Sequence, residues 1–197
     1  MRRLSLDKAA RRAAAVAAAV AALGLAPAAS ADTLGGVTLP PPGGVRATGP
    51  LVLSGQPGPT VSGRSGVLIG DLAYAPANAP SAVKRVIWAA NRIRHKPYKW
   101  GGGHGSWKDS GYDCSGAVSY ALHGGGLLDS PLDSRGFMRF GSAGPGRWIT
   151  VYARDGHAWM IVAGLQFNTS GAGEHGPRWR PEPPRTSGFV ARHPAGL

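Results

Sequence analysis

Cysteine is nearly absent from this chain: Cys114 is the one copy in 197 residues. A disulfide framework, a multi-cysteine zinc finger and an iron–sulfur site each need several, so all three are excluded. Acidic side chains are also scarce, with 10 Asp and Glu against 22 Lys and Arg, for a formal net charge of +12. No stretch supplies the ~20 strongly apolar residues of a transmembrane anchor, and no internal repeat is visible. What the chain has in abundance is 31 Gly and 17 Pro, about a quarter of its length. That is too loop-rich for a helical bundle, and without a Gly-X-Y period it is not collagen. Cys114 and the six histidines show no helix-face or knuckle spacing for a metal, so no metal or cofactor is expected. Gly101–Gly103 lacks the Gly-Lys-Ser/Thr that would make it a phosphate loop.

The N-terminus carries Arg2, Arg3, Lys8, Arg11 and Arg12, then the small-apolar stretch Ala13–Leu25, then Ala29-Ser30-Ala31. A basic segment, a short apolar segment and a small-x-small site describe a secretory signal peptide over residues 1–31, cleaved after Ala31. Arg2-Arg3 raises twin-arginine export, but the residues after the pair fit that motif poorly, so general secretion is the expected route. The exported remainder stays strongly basic. Nucleic acid is the usual partner of a basic chain, but export and the scatter of Lys and Arg argue against it. Anionic cell-wall polymer or peptidoglycan suits the compartment, and the charge also serves solubility.

Residues 32–80 read as a Pro/Gly-rich linker. They hold Pro40-Pro41-Pro42-Gly43-Gly44 and Gly55-Gln56-Pro57-Gly58-Pro59, and no apolar period persists. Short runs such as Val67-Leu68-Ile69 could add edge strands, but ordered structure is expected from Ser81, giving a single domain over residues 81–197. Ser81 suits a helix N-cap, and Val83, Val86, Ile87, Ala90 and Ile93 recur on one helical face. Asp113 is a good cap for a second helix from Cys114 to His123, stopped by Gly124-Gly125-Gly126. Beyond it the period becomes two. Trp148–Ala153 and His157–Val162 flank Asp155-Gly156, a strong hairpin signal. Leu165–Thr169 forms a third strand and Gly188–Arg192 a last edge strand. Helices followed by a strand meander make an α+β domain.

The chemistry centres on Cys114. At a helix N-terminus the free N–H groups and the dipole favour a thiolate and can hold a developing oxyanion. Free cysteine is often simply core, yet Asp113 and Ser115-Gly116 give this one a small, polar setting. An exported protein that keeps one thiol also carries an oxidation liability that needs a reason. A nucleophilic thiol needs a base, and His157 opens a strand straight after a tight turn, at a sheet rim. His104 lies in a glycine loop, and His123 caps a helix C-terminus. A catalytic histidine is oriented by a third polar group. If Gly164-Leu165 is a two-residue turn, Asn168 shares the face of His157; a turn longer by one puts Thr169 there.

Three runs carry a family resemblance. Pro97-Tyr98-Lys99-Trp100-Gly101-Gly102, Gly111-Tyr112-Asp113-Cys114-Ser115-Gly116 and Gly156-His157 resemble the NlpC/P60 cell-wall cysteine peptidases, over about Ser81 to Ser170. The resemblance implies a papain-like α+β fold, with the nucleophile helix packed on a small antiparallel sheet. It implies hydrolysis of amide bonds in peptidoglycan stem peptides, usually between D-glutamate and the diamino acid. By carry-over Cys114 is the nucleophile, His157 the base and Tyr98 the tyrosine lining the nucleophile. The family usually has a Gly-Asp-Leu-Val-Phe-Phe-like strand before its histidine, whereas Gly146-Arg147-Trp148-Ile149-Thr150-Val151-Tyr152 stands here. Its third catalytic position is usually a histidine; a gapless count lands on Thr169, while strand parity prefers Asn168. Two other readings use the same residues: a wall amidase or acyltransferase, and a non-catalytic wall-binding protein on a decayed peptidase fold.

Overall fold

Alternation and helical spacing become two helices lying on one face of a sheet. A computed structural model describes residues 58–170, 176–180 and 185–197, all within the compact unit Arg46–Leu197. The expected signal peptide (1–31) and residues 32–57 of the expected linker lie outside the described residues. Helix α1 runs Ser81–Ile93 and α2 runs Cys114–Gly125, followed by the short turn of helix α3, Ser134–Phe137. Ser81 is the first residue of α1 rather than its cap. The capping position is Pro80, which brings no side-chain bond.

The linker expectation needs correcting at its C-terminal end. Thr60–Val61 (β1), Val67–Ile69 (β2) and Leu72–Pro76 (β3) form a three-stranded sheet in the order β1-β3-β2, with β1 parallel and β2 antiparallel to β3. Ala73 and Ala75 of β3 are wholly buried against α1. Asn91 of α1 clips the strand in place: its Oδ1 accepts from Ala73 N at 3.1 Å and its Nδ2 donates to Ala73 O at 2.8 Å. The small alanines gave no apolar signal strong enough to betray a buried strand, because a tight helix–strand approach needs small side chains rather than large ones.

The main sheet has six strands: Ser142–Ala143 (β4), Ile149–Arg154 (β5), His157–Val162 (β6), Leu165–Asn168 (β7), Arg178–Arg180 (β8) and Val190–His193 (β9). Their order is β4-β9-β5-β6-β7-β8, and every neighbour is antiparallel. The hairpin at Asp155-Gly156 forms as the sequence indicates, with Arg154 opposite His157. The last strand is not at an edge: β9 sits between β4 and β5. Its exposed and half-buried residues made it read as an edge, while the two-residue β4 that covers it is too short to show a period.

One face of the sheet presents Val151, Ala153, Ala158, Met160, Val162 and Phe167 to the helices, all fully buried. Helix α2 outlasts its expected end at His123 and continues to Gly125, where Gly126 at φ 75° caps it. The two extra glycines are helical because α1 leaves no room for a side chain. A Cβ on Gly124 would run into Ala89 Cβ, and one on Gly125 into Val86 Cγ2. Gly124→Ala therefore gains helix propensity but forces two helices apart. We expect a net loss of about 1–2 kcal/mol, read as a lower denaturation midpoint with an unchanged slope.

Candidate active site

Asp113 organises the start of α2. Its Oδ1 accepts from Gly116 N at 2.7 Å, capping the helix, and its Oδ2 accepts from Gly101 N at 3.0 Å. The glycine loop is thereby tied to the helix that presents the thiol. Close approach explains the glycines: a Cβ on Gly116 would strike Gly102 O, and Gly102 itself passes against Gly111 O. Tyr98 pairs with Tyr112 in an isolated bridge, so the segment before the glycines lies beside the one before Cys114.

Cys114 thus sits with its Sγ 4.0 Å from Gly156 O. That carbonyl belongs to the peptide that precedes His157, so the thiol lies against the backbone that carries the imidazole. Burial pushes the thiol pKa up, and the charge of Asp113 pushes the same way; the Ala158 and Ser115 donors offset only part of this. The helix N-terminus therefore does not produce the lowered pKa expected from sequence, because the capping carboxylate stands beside the sulfur and the site is desolvated.

His157 is half-buried, and its Nε2 lies 3.1 Å from Asn168 Oδ1. The same oxygen accepts from Ser170 N at 3.0 Å. That backbone donor fixes the amide orientation, so the shared atom is the acceptor and His157 Nε2–H must donate to it. The Nδ1 atom then keeps its lone pair. Burial lowers the His157 pKa, the Asn168 bond raises it in part, and Arg154 lowers it further. The turn before β7 is Ala163-Gly164, both at positive φ, rather than Gly164-Leu165. Either turn leaves the same parity. Thr169 is buried but faces away from the imidazole by strand alternation.

Tyr98, Trp100, Gly101, His104, Cys114 and Gly156 are among the residues lining a hollow of about 300 Å³ over the thiol. Tyr98 is partly exposed there, and burial followed by the Cys114 and Asp113 charges raises its pKa, which keeps its hydroxyl a donor. A second hollow of about 660 Å³ lies beside His157, and Gly156 lines both. Sequence reasoning passed over His104, whose Nε2 donates to Asp113 Oδ1 at 3.1 Å and lies 3.3 Å from Ser115 Oγ. A histidine in a glycine loop has no periodic signal, and its partner was assigned to capping alone. His123 does more than face the dipole: it stacks on Trp107 at 3.9 Å and its Nδ1 bonds Leu128 O.

No family model matches the chain. It is 35% identical over 123 residues to the curated peptidoglycan endopeptidase RipB of Mycobacterium tuberculosis, in strains CDC 1551 and H37Rv, covering 50% of this chain and 51% of the relative. The chain spans about half the length of the curated relatives it matches. Among solved structures it is similar to the peptidoglycan hydrolase RipB of M. tuberculosis, with 28% identity and a TM-score of 0.47. That match covers 59% of this chain and 66% of that one. It is also similar to the Resuscitation Promoting Factor Interacting protein RipA, at 24% identity and a TM-score of 0.44, over 58% and 65% of the two chains.

Proposed function

We propose that the chain is a secreted cysteine peptidase cleaving peptidoglycan stem peptides, a reading supported by its NlpC/P60-like motifs and by its 35% identity over 123 residues to a peptidoglycan endopeptidase. One observation carries the reading. The thiol of Cys114 lies against the carbonyl of Gly156, the residue that precedes a histidine whose Nε2–H is already committed to Asn168.

In this reading His157 Nδ1 must come within hydrogen-bond reach of the thiol, and it then takes the thiol proton as Sγ attacks the amide carbon. Negative charge on the amide oxygen develops beside the N-terminus of α2, where backbone N–H groups and the Tyr98 hydroxyl are the donors at hand. His157 then gives the proton to the leaving nitrogen, the C–N bond breaks, and a thioester remains on Cys114. Water, deprotonated by the same imidazole, hydrolyses the thioester and restores the thiol. Asn168 keeps the ring in the tautomer that leaves Nδ1 basic. The expected export fits this substrate. Among the described residues no helix is long and apolar enough to cross a membrane.

The pKa shifts distinguish two resting states. A raised thiol and a lowered imidazole both favour a neutral pair over a thiolate–imidazolium pair. Inactivation by iodoacetamide should then accelerate as pH rises toward a value above the ordinary thiol pKa of about 8.5. A rate already at its plateau near pH 5 would contradict the neutral pair. The acid limb of kcat/KM should lie below the ordinary imidazole value of about 6.5, because His157 must be neutral to act and its pKa is lowered. Since Cys114 is the one cysteine, a single alkylation event should end release of soluble fragments from purified peptidoglycan. Full activity in the alkylated protein would overturn the proposed function.

A further inference from the structure

The hollow beside His157 carries a charge pattern that the hydrolytic reading leaves unused. Strand alternation and register put Arg154, His157, Trp159, Gln166, Asn168 and Arg180 on one face of the sheet, opposite the helices. Arg185 joins them in lining the hollow of about 660 Å³, and none of its described lining residues is an Asp or Glu. Arg154 is held over the wall: its guanidinium sits 4.9 Å from the centroid of Phe189, which itself meets His157 and Trp159 edge-on. The nearby acid Asp155 is turned the other way, where it makes a two-point pair with Arg135 at 2.7 and 2.8 Å. The charge of Arg154 also disfavours protonation of His157.

The direction of the reaction says which half of a substrate meets this hollow. The proposed imidazole hands its proton to the leaving amine, so the residue that supplies the amine must lie on the His157 side. The acyl half lies over Cys114 in the smaller hollow, and Gly156 is the common wall between them. Resting on the hydrolase reading, we infer that Arg154 and Arg185 form a carboxylate-binding subsite for the residue whose amine leaves. Gln166 and Ser170, also in the wall, supply neutral partners for the same group. Planar guanidinium forks suit a carboxylate, and in a site built for the charge its neutral analogue is rejected.

The test uses the full chain and two stem peptides that differ at one group, a free α-carboxylate or its carboxamide on the residue after the cleaved bond. Wild type should cleave the carboxylate peptide with a kcat/KM about 10- to 100-fold higher, and added salt should shrink that ratio. Arg154→Gln with Arg185→Gln should bring the ratio to within about threefold of unity, while the Lys pair at the same positions keeps most of it. Equal cleavage of both peptides by wild type overturns the subsite and leaves the hydrolase reading standing. So does a Gln pair that retains the preference. If neither peptide is cleaved, calorimetric titration of the Cys114→Ala protein decides the matter. Tighter binding of the carboxylate peptide keeps the subsite although the hydrolase reading fails, and equal binding of the two overturns it.

Discussion

Cys114→Ser is expected to lower peptidoglycan hydrolysis by at least about 10³-fold while the melting curve stays where it was. The substitution is nearly isosteric, and the sulfur's environment can accept a hydroxyl. The nucleophile is what changes. A serine hydroxyl is far less acidic than a thiol, and the site already opposes ionisation, through burial and the Asp113 charge. His157, with its lowered pKa, is too weak a base to make up the difference. His157→Ala should cost a comparable factor, and the double variant little more than either alone, because in the proposed mechanism nucleophile and base work as one unit. Asn168→Ala should cost less, since it frees the ring to change tautomer without removing the base. Thr169→Ala should leave the rate within a fewfold of wild type. Rates fit from solubilised fragments, with circular dichroism melts alongside, check all five proteins.

Asn91→Ala is expected to destabilise the fold by about 3 kcal/mol, a large loss for one polar side chain. Asn91 is buried and works in three directions at once. It accepts from Ala73 N, donates to Ala73 O and accepts from Trp179 Nε1 at 2.8 Å. Truncation leaves one strand's N–H and C=O and an indole N–H facing a small apolar gap. The same bonds tie β3, α1 and β8 together, so the loss should be cooperative and appear as a shifted denaturant midpoint. Removing residues 58–80 should be worse. It takes away the strand that Asn91 holds and uncovers the face of α1 where Ala73 and Ala75 are packed. A chain starting at Ser81 is expected to lose its cooperative transition, contrary to what the composition of that segment suggested.

The helical face of α1, the capped start of α2 and the β5–β6 hairpin were legible in the sequence because each is written in local spacing: apolar steps of three and four, an Asp before Cys114, an Asp-Gly between alternating strands. The position of Asn168 beside His157 was within reach for the same reason, since alternation survives a small error in the turn. Of residues 60–76 the run Val67–Ile69 was legible as a short edge strand, while β1 and β3 were not. Those two strands are short, the buried side chains of β3 include two alanines, and the residue that holds β3, Asn91, is a polar residue in a helix eighteen positions from Ala73. Long-range pairing leaves no local mark. The centrality of β9 was hidden similarly, because its cover is the two-residue β4. The His104–Asp113–Ser115 cluster and the arginine-lined hollow both join side chains from separate elements, which spacing along the chain cannot announce. The thiol's raised pKa was missed for a different reason: tertiary packing buries the sulfur, which local spacing does not show, and the capping Asp113 adds a negative charge beside it.

Mass analysis of fragments released from purified peptidoglycan tests the proposed cysteine peptidase most directly. Wild type should release soluble fragments whose new amine and carboxyl ends lie within the stem peptide, and Cys114→Ser should release none. Fragments with intact stem peptides, or the same cut peptides from the Cys114→Ser protein, would contradict it.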